Sequence, residues 1–188
     1  MSRASEPPAT PGSVRVRPAV PADAEAIRRI YNHEVENTTA TMDLVPRSLA
    51  DQRDWLAART GAFTALVAVR PAGPESDPDF VSGSEEVVGF AALSPYKERA
   101  AYRPTVEDSV YVRRDLGRRG VGRLLLESVV ELARSSGFHS VMARIEASGE
   151  ASRALHAACG FELVGVEKEV GRKFNRWLDV ALMQKLLP

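Results

Sequence analysis

The sequence predicts a single α/β domain in which helices cover both faces of a mixed β-sheet. The first observation behind this prediction is the element order, β-αα-βββ-α-β-α-ββ, in which helical segments separate groups of strands. The second is the length, since 188 residues are enough for one domain with a substantial core. The third is continuity, because residues 14–188 contain no internal repeat and no linker that would divide them.

The N-terminal part of the chain predicts a tail, a strand and two helices. Residues 1–13 are rich in Pro, Ser and Ala and are expected to be disordered. Val14 to Arg17 alternates apolar and basic residues, as a short strand does. Pro21 opens a helix that runs to about Val35, and Ser48 is a suitable N-cap for a second helix through Trp55.

The middle of the chain predicts three strands. Phe63 to Arg70 and Glu86 to Leu93 are expected to pair antiparallel, joined by the turn-rich connection 71–84. Residues 94–105 follow as a loop that mixes aromatic and basic side chains. The central strand is expected at Glu107 to Arg113.

The C-terminal part predicts two helices and three strands. Arg118 to Ser136 has apolar residues at spacings of three and four, which is typical of an amphipathic helix. Alternation at Val141 to Ile145 predicts a strand, and a short helix is expected from Gly149 to Cys159. Phe161 to Val170 and Arg176 to Leu186 are expected to close the sheet.

Composition excludes several functional classes. Lys plus Arg and Asp plus Glu both number 25, so the formal net charge is zero, which argues against nucleic acid as the main partner. No apolar run is long enough to span a bilayer, and the N-terminus lacks a secretory h-region, so we expect a cytoplasmic protein without a membrane partner. Cys159 is the only cysteine, which excludes an intrachain disulfide and a cysteine metal cluster. We expect no metal.

A glycine-rich turn, Asp115 to Gly122, joins the central strand to the long helix. The free N–H groups at a helix N-terminus bind anions. The turn lacks the Gly-Lys-Ser/Thr of a Walker loop and the full G-x-G-x-x-G of a dinucleotide fold. The turn therefore predicts a diphosphate site that needs no metal.

The wider pattern resembles the GNAT acetyltransferase superfamily from Val14 onward. The pattern includes the glycine turn between a strand and a long helix. It also includes the short helix with Ala154-Leu155-His156 and the Gly160-Phe161 that follows it. Five longer motifs narrow it to the phosphinothricin and methionine sulfoximine N-acetyltransferase group: V-R-P-A at 16–19, I-Y-N at 30–32, N-T-T-A at 37–40, T-V-E-D-S-V-Y-V at 105–112 and V-G-R-K-F-N-R-W-L-D-V at 170–180. The resemblance implies a GNAT fold, a mostly antiparallel mixed sheet in which two parallel strands splay apart.

The resemblance implies that acetyl-CoA, as cosubstrate, lies between the splayed strands at 107–113 and 140–146. The implied cofactor-binding residues are Val110, Tyr111 and Val112 for the acetyl carbonyl and pantetheine, Arg118, Arg119, Gly120, Val121, Gly122 and Arg123 for the pyrophosphate, and Ser152 near the short helix.

Two positions depart from the pattern of the group. Gly117 stands where Arg or Gln is usual, and Gly149 stands where an Asn often contacts pantetheine. Arg118 or Arg119 can compensate for Gly117, so weaker but surviving CoA binding is expected.

The same resemblance implies the catalytic residues. An ammonium acceptor must lose a proton before it attacks a thioester, and Glu107 matches the proposed base of the group. His156 takes the place where many GNAT enzymes keep a tyrosine acid for the leaving thiolate, and its ordinary pKa of ~6.5 allows proton transfer in either direction. His33 and Glu34 are expected at the surface.

Acceptor recognition is expected from the loop 94–105 and from the threonines after the first helix. Guanidinium groups bind a carboxylate bidentately, which suits an amino-acid acceptor. Asp108 stands where relatives commonly have a histidine, and Pro104 also replaces a residue that is common in relatives. The pocket is therefore expected to favour a different acceptor. The expected substrate-binding residues are Thr38, Thr39, Lys97, Arg99, Tyr102 and Arg103.

The C-terminal motif and the lone cysteine are interpreted as structural. Relatives use the 172–179 segment near the acceptor cleft and in a homodimer interface, so a homodimer is expected. Within that segment, Trp177 is interpreted as buried packing, and Cys159 as a small buried side chain.

Three functions remain open from the sequence. The first is acetylation of a small amino-acid-like acceptor of the phosphinothricin, methionine sulfoximine or methionine sulfone type by direct transfer. The second is N-acetylation of another small amine or antibiotic. The third is an acyl-CoA-binding sensor without turnover, which the changes at Gly117 and Gly149 allow.

Overall fold

The structure is a computed structural model that describes residues 14–72 and 85–188. The predicted disordered tail at 1–13 and most of the 71–84 connection lie outside the described residues. In the described part of the chain, no helix is both long and apolar enough to cross a lipid bilayer.

A seven-stranded sheet forms the centre of the molecule, with strand order β1-β2-β3-β4-β5-β7-β6. Among the described strands, only β4 and β5 are parallel neighbours, and every other neighbouring pair is antiparallel. The predicted mixed sheet is therefore confirmed. The strands are β1 Arg15–Pro18, β2 Leu66–Pro71, β3 Glu85–Pro95, β4 Thr105–Val112, β5 Ser140–Glu146, β6 Glu162–Lys173 and β7 Arg176–Leu186.

Within residues 14–72 and 85–188, four α-helices flank the sheet: α1 Ala24–Asn37, α2 Leu49–Ala57, α3 Val121–Ser135 and α4 Glu150–Ala158. The predicted N-cap of α2 is confirmed, because Ser48 Oγ accepts a hydrogen bond from the Asp51 N–H at 3.1 Å. Helix α3 begins at Val121 rather than at Arg118, since Arg118 and Gly120 both have positive φ angles, 62° and 82°.

Two apolar layers lie on opposite faces of the sheet. One packs α3 against the sheet around the fully buried Leu125 and Leu126. The other packs α1 and α2 around Ile27 and Phe90. The expected placement of helices on both faces is confirmed, and each side chain of a central strand faces one layer or the other.

The long β6–β7 hairpin corrects one prediction. Its turn is Phe174-Asn175, with φ angles of 47° and 59°, and the strands extend to Lys173 and from Arg176. Trp177 is 60% exposed, whereas its neighbour Leu178 is 4% exposed. The expectation of a buried Trp177 is wrong because the alternation of β7 turns Leu178 inward and the indole outward.

Candidate active site

The parallel strands β4 and β5 pair only at their beginnings. Their register covers Thr105 with Ser140, Val106 with Val141 and Glu107 with Met142. Beyond Glu107, β4 continues beside β3 only, and β5 beside β7 only. The expected splayed pair is present, and the opening begins at residue 108.

Backbone groups of β4 point into this opening. Arg113 N donates to Val88 O at 2.9 Å, and Tyr111 lies opposite Phe90 in the β3 register. Because the directions of backbone groups alternate along an antiparallel pair, the N–H and C=O of Val110 and Val112 point away from β3. They therefore face the gap, as sequence reasoning predicted. The prediction for Tyr111 does not fit this pattern, since its backbone groups face β3.

The two faces of β4 carry different chemistry. Val110 and Val112 pack against the layer that contains α3, whereas Tyr111 packs against the layer of α1 and α2. By alternation, Asp108 lies on the α3/α4 face and Glu107 lies on the α1/α2 face. The two expected catalytic residues thus belong to opposite sides of the sheet.

Glu107 is partly buried at the point where the opening begins. Burial raises the pKa of its carboxyl above the ordinary value of a glutamate, and the charges of Asp108 and Glu167 add to this effect. The positive charge of Arg144 on β5 acts in the opposite direction. Such a carboxyl accepts a proton more readily than a solvated one, which suits a base.

His156 is buried on α4, and both of its ring nitrogens have partners. Nδ1 lies 2.8 Å from the Ser152 carbonyl oxygen, one helical turn earlier. Nε2 lies 3.1 Å from Asp108 Oδ2. Burial by itself lowers the pKa of the imidazole, but the hydrogen bond and charge of Asp108 outweigh it, so the pKa lies above its usual value. Neither nitrogen is free, which the sequence did not indicate.

The glycine turn has the geometry of an anion cradle. The N–H groups of α3 that precede Leu124, whose N–H donates to the Gly120 carbonyl at 3.0 Å, have no partner within the helix and lie at the turn. Gly120 has a φ of 82°, which favours glycine. A Cβ on Gly122 would lie 3.2 Å from Leu155 Cδ2, so the missing side chain allows α3 and α4 to approach closely. Arg118 and Arg119 are exposed beside this cradle.

The remaining positions that were predicted to bind the cofactor lie on α3 and around the start of α4. Arg123 on α3 donates to Glu127 Oε1 at 2.8 Å. Ser152 uses its carbonyl to hold His156. A Cβ on Gly149 would lie 3.0 Å from the Glu146 carbonyl oxygen, so a larger residue there requires a shift of this turn. Together with the strand opening, these residues fit a pantetheine and a diphosphate.

The expected substrate residues form two separate groups. Thr39 Oγ1 donates to Glu146 Oε2 at 3.0 Å, at the C-terminal end of β5, and Thr38 Oγ1 donates to Glu34 Oε2 at 2.7 Å. The second group belongs to the loop at the N-terminal end of β4, where Lys97 Nζ lies 5.1 Å from the Tyr102 ring centroid. Its other two members, Arg99 and Arg103, are exposed.

Several charged residues near the opening were missed by sequence reasoning. Val141, Ala143 and Ile145 face the α3 layer, so alternation places Arg144 and Glu146 on the face of Glu107. Burial alone would raise the pKa of Glu146, but hydrogen bonds from Ser148 and Thr39 lower it below its usual value. The alternation of charged residues along β5 was the available signal.

Glu34 corrects a further expectation. It is 4% exposed rather than at the surface, whereas His33 is exposed as predicted. Its carboxylate accepts hydrogen bonds from the Arg114 guanidinium and ties α1 to the end of β4. A cavity of about 350 Å³ lies beside this ion pair. Lys173 Nζ, also buried, donates to the Thr41 carbonyl at 2.9 Å and holds the chain after α1.

Comparison with known proteins agrees with this geometry. The family model described as an acetyltransferase (GNAT) domain matches residues 16–182. A curated L-methionine sulfoximine/L-methionine sulfone acetyltransferase of Pseudomonas aeruginosa is 39% identical over 92% of this chain and 94% of the relative. A phosphinothricin N-acetyltransferase of Streptomyces coelicolor is 38% identical over 93% and 96%.

Solved structures show the same likeness. A GNAT superfamily phosphinothricin acetyltransferase from Sinorhizobium meliloti in complex with acetyl-CoA has a TM-score of 0.81 and 36% identity, covering 93% of this chain and 88% of that one. A putative acetyltransferase from Salmonella typhimurium with its cofactor acetyl-CoA has a TM-score of 0.81 and 33% identity, covering 93% and 94%.

Proposed function

This chain belongs to the GNAT acetyltransferase family and is an N-acetyltransferase, and from that premise we propose that it acetylates the amino group of a small amino acid. The acceptor is of the methionine sulfoximine, methionine sulfone or phosphinothricin type, as the names of its relatives suggest. The observation that carries the proposal is the opening between β4 and β5, with Glu107 at its start.

The chain binds acetyl-CoA along one continuous path. Acetyl-CoA supplies the acetyl group as a thioester. The N–H groups of Val110 and Val112 face the opening and hold the acyl carbonyl and the pantetheine amides. The turn from Arg118 to Arg123 binds the diphosphate through its backbone N–H groups, the helix dipole and the arginine charges.

Glu107 removes the proton that keeps the acceptor ammonium from attacking. A carboxyl with a raised pKa is matched better to an amine than a fully solvated carboxyl is. Because Glu107 lies on the α1/α2 face, the acceptor is proposed to approach from that side of the sheet. His156, on the other face, supplies a proton to the leaving sulfur.

The expected acceptor residues lie at two ends of the parallel pair, and the loop before β4 is the end nearer to Glu107. An amino-acid carboxylate pairs with the guanidinium of Arg99 or Arg103, with Lys97 as a further positive charge. Tyr102 forms one wall. Thr38 and Thr39 line the opposite end of the site, where Thr39 already contacts Glu146.

The protein is further proposed to act as a cytoplasmic homodimer. The β6–β7 hairpin supports the dimer, because it exposes large apolar side chains that water disfavours. Equilibrium sedimentation tests it: a Trp177→Ser variant should shift the chain towards monomer, and a wild-type protein that is monomeric at all concentrations contradicts it. The exposed residues are Leu163, Val164, Val166, Val170, Phe174 and Trp177.

The function is tested by following thiol release from acetyl-CoA against a panel of amino acids and amines. Turnover with methionine sulfoximine, methionine sulfone or phosphinothricin, and none with polyamines, is the expected result. Preference for an amine that lacks a carboxylate contradicts the acceptor class. A dissociation constant for acetyl-CoA weaker than millimolar contradicts the cofactor path.

A further inference from the structure

Asp108 is a buried carboxyl at the point where the two parallel strands separate. It is the first residue of β4 beyond the last registered pair with β5, Glu107 with Met142. Its side chain is 1% exposed, and that of His156 is 5% exposed. Burying a carboxylate is costly unless charge or hydrogen bonds compensate. The side chain therefore has a specific partner or a specific task.

The hydrogen bonds of His156 define how the pair is protonated. A carbonyl oxygen only accepts, so Nδ1 donates its proton to the Ser152 carbonyl. Nε2 faces the Asp108 carboxylate at 3.1 Å, and a carboxylate also only accepts. Both nitrogens therefore carry protons when Asp108 is ionised. The arrangement describes an imidazolium held between a carbonyl and a carboxylate.

One oxygen of this carboxylate is unused. Asp108 Oδ1 is buried and has no hydrogen-bond partner among the described residues. Buried polar atoms without partners are uncommon, and each requires an explanation. Since the described residues supply no donor to Oδ1, the carboxylate is held there through Oδ2 and His156.

We propose that Asp108 is a positioning residue that holds His156 as an imidazolium, so that His156 serves as the acid for the leaving thiolate. This inference rests on the proposed acetyl transfer. It restricts His156 to one direction of proton transfer, which sequence reasoning left open.

The proton balance of the step is simple. As the carbon–sulfur bond breaks, its electron pair remains on sulfur. The Nε2 proton, which Asp108 Oδ2 holds at 3.1 Å before the step, passes to that sulfur, and His156 becomes neutral. A neutral imidazole beside a carboxylate then regains a proton from solvent, which restores the pair for the next turnover.

The surroundings of the ring are consistent with this assignment. Among the described residues, the charge that acts on the imidazole is that of Asp108, on β4. The remaining contacts are the Ser152 carbonyl on α4 and the edge of the Phe161 ring, whose centroid is 5.0 Å away. Two other titrating groups sense Asp108, the Glu107 carboxyl on the opposite face and the Cys159 thiol. The pKa of each is raised, so the thiol stays neutral near pH 7. The raised pKa of His156 keeps the proton in place at that pH.

The test is a histidine titration by ¹⁵N NMR, which needs no turnover. The chain has three histidines, so His156 is assigned by comparison with His156→Gln. In the wild type, both ring nitrogens of His156 should be protonated at neutral pH. In Asp108→Asn, the titration midpoint should fall below the ordinary value of ~6.5, because burial then acts without the compensating charge. Asp54→Asn, at an exposed position on α2, is the matched control and should change nothing.

Kinetics provide the second measurement. Asp108→Asn should lower kcat on the order of tenfold, leave KM for acetyl-CoA unchanged and move the alkaline limb of the pH profile to lower pH. A purely structural role would lower kcat equally at every pH. Asp108→Glu should restore part of the alkaline limb.

Three outcomes overturn the proposal. The first is a wild-type His156 that is neutral, with an unprotonated Nε2, at neutral pH. This result decides the question even if Asp108→Asn does not fold. The second is an unchanged midpoint in a folded Asp108→Asn. The third is a pH-independent loss of kcat in that variant. Absence of turnover with every acceptor would contradict the proposed function instead, and the NMR titration would still report on the pair.

Discussion

The two faces of β4 differ in how they prepare a group for proton transfer. On the α1/α2 face, Glu107 is partly buried, and burial is the main cause of its raised pKa. On the α3/α4 face, His156 is more deeply buried, and burial alone would lower its pKa, yet Asp108 reverses the direction. Both groups therefore retain protons to higher pH than in water, for opposite physical reasons.

Because of this difference, one strand can contribute to two separate proton transfers. Adjacent residues of a strand point to opposite faces, so Glu107 and Asp108 share a backbone but not an environment. The proton taken from the acceptor and the proton given to the sulfur are handled on different sides of the sheet. Variants on the Glu107 face and variants on the Asp108 face should therefore affect different kinetic quantities.

The largest effect is expected for Glu107→Gln. Loss of the base should lower kcat by about 10²- to 10⁴-fold and remove the rise of activity with pH that belongs to this carboxyl. In the wild type, that rise should lie above the ordinary glutamate range, because the pKa is raised. Steady-state kinetics across pH measure it, with Glu162→Gln on the exposed face of β6 as control. Full activity of Glu107→Gln at every pH would show that Glu107 is not the base.

Core substitutions on the two faces should separate stability from cofactor binding. Leu125→Ala and Ile27→Ala each remove a fully buried side chain and should lower the free energy of unfolding by about 2–5 kcal/mol. Only Leu125→Ala loosens α3, whose N-terminus forms the diphosphate cradle. Denaturant unfolding and KM for acetyl-CoA are the two measurements. An equal rise of KM in both variants would contradict the separation of the faces.

The arginines of the glycine turn should act on cofactor binding alone. Arg118→Ala combined with Arg119→Ala should raise KM for acetyl-CoA about tenfold with kcat unchanged, because such charges stabilise bound and reacting states equally. Arg134→Ala, at the other end of α3, is the control. A fall in kcat without a change in KM would place these arginines in the chemical step.

Variants in the loop 94–105 should have smaller effects, and these should appear in the KM for the amino acid rather than in the KM for acetyl-CoA. Arg99→Ala and Arg103→Ala should each raise KM for the amino acid by about three- to tenfold and leave KM for acetyl-CoA unchanged, since an exposed charged hydrogen bond contributes roughly 1 kcal/mol. Arg53→Ala on α2 is the matched exposed control. If neither variant changes the amino-acid KM, the carboxylate is bound elsewhere, and Arg144 becomes the residue to test.

The smallest effect is expected in the pH dependence of stability. A pKa that is raised by folding means that the folded state binds more protons, so stability falls as pH rises. For Glu107 this loss begins above the unfolded glutamate value, and for His156 it begins above ~6.5. Thermal unfolding across pH should therefore be flatter in the acidic window for Glu107→Gln and in the neutral-to-alkaline window for His156→Gln. If both variants flattened the pH dependence of thermal unfolding over the same pH range, the contrast between the two faces would be contradicted.

Much of this fold was predictable because its signals are local. Alternation and helical spacing identified the strands and helices, and Ser48 was recognised as an N-cap from residue type alone. The burial of Cys159 is likewise confirmed. The predictions for Glu34 and Trp177 were wrong about which side of a helix or strand is buried. Periodicity shows that two sides differ, but it does not show which element packs against either of them.

The amino-acid sequence by itself determined the order of elements, the glycine turn and the position of Glu107 on the central strand, since each depends on neighbours within a few residues. The tertiary structure alone decided what each face of that strand meets. Asp108 and His156 are 48 residues apart and meet only because α4 packs beside the opening of the sheet. A carboxylate and an imidazole that are far apart in the chain acquire a shared proton through packing, and that packing is a property of the whole fold.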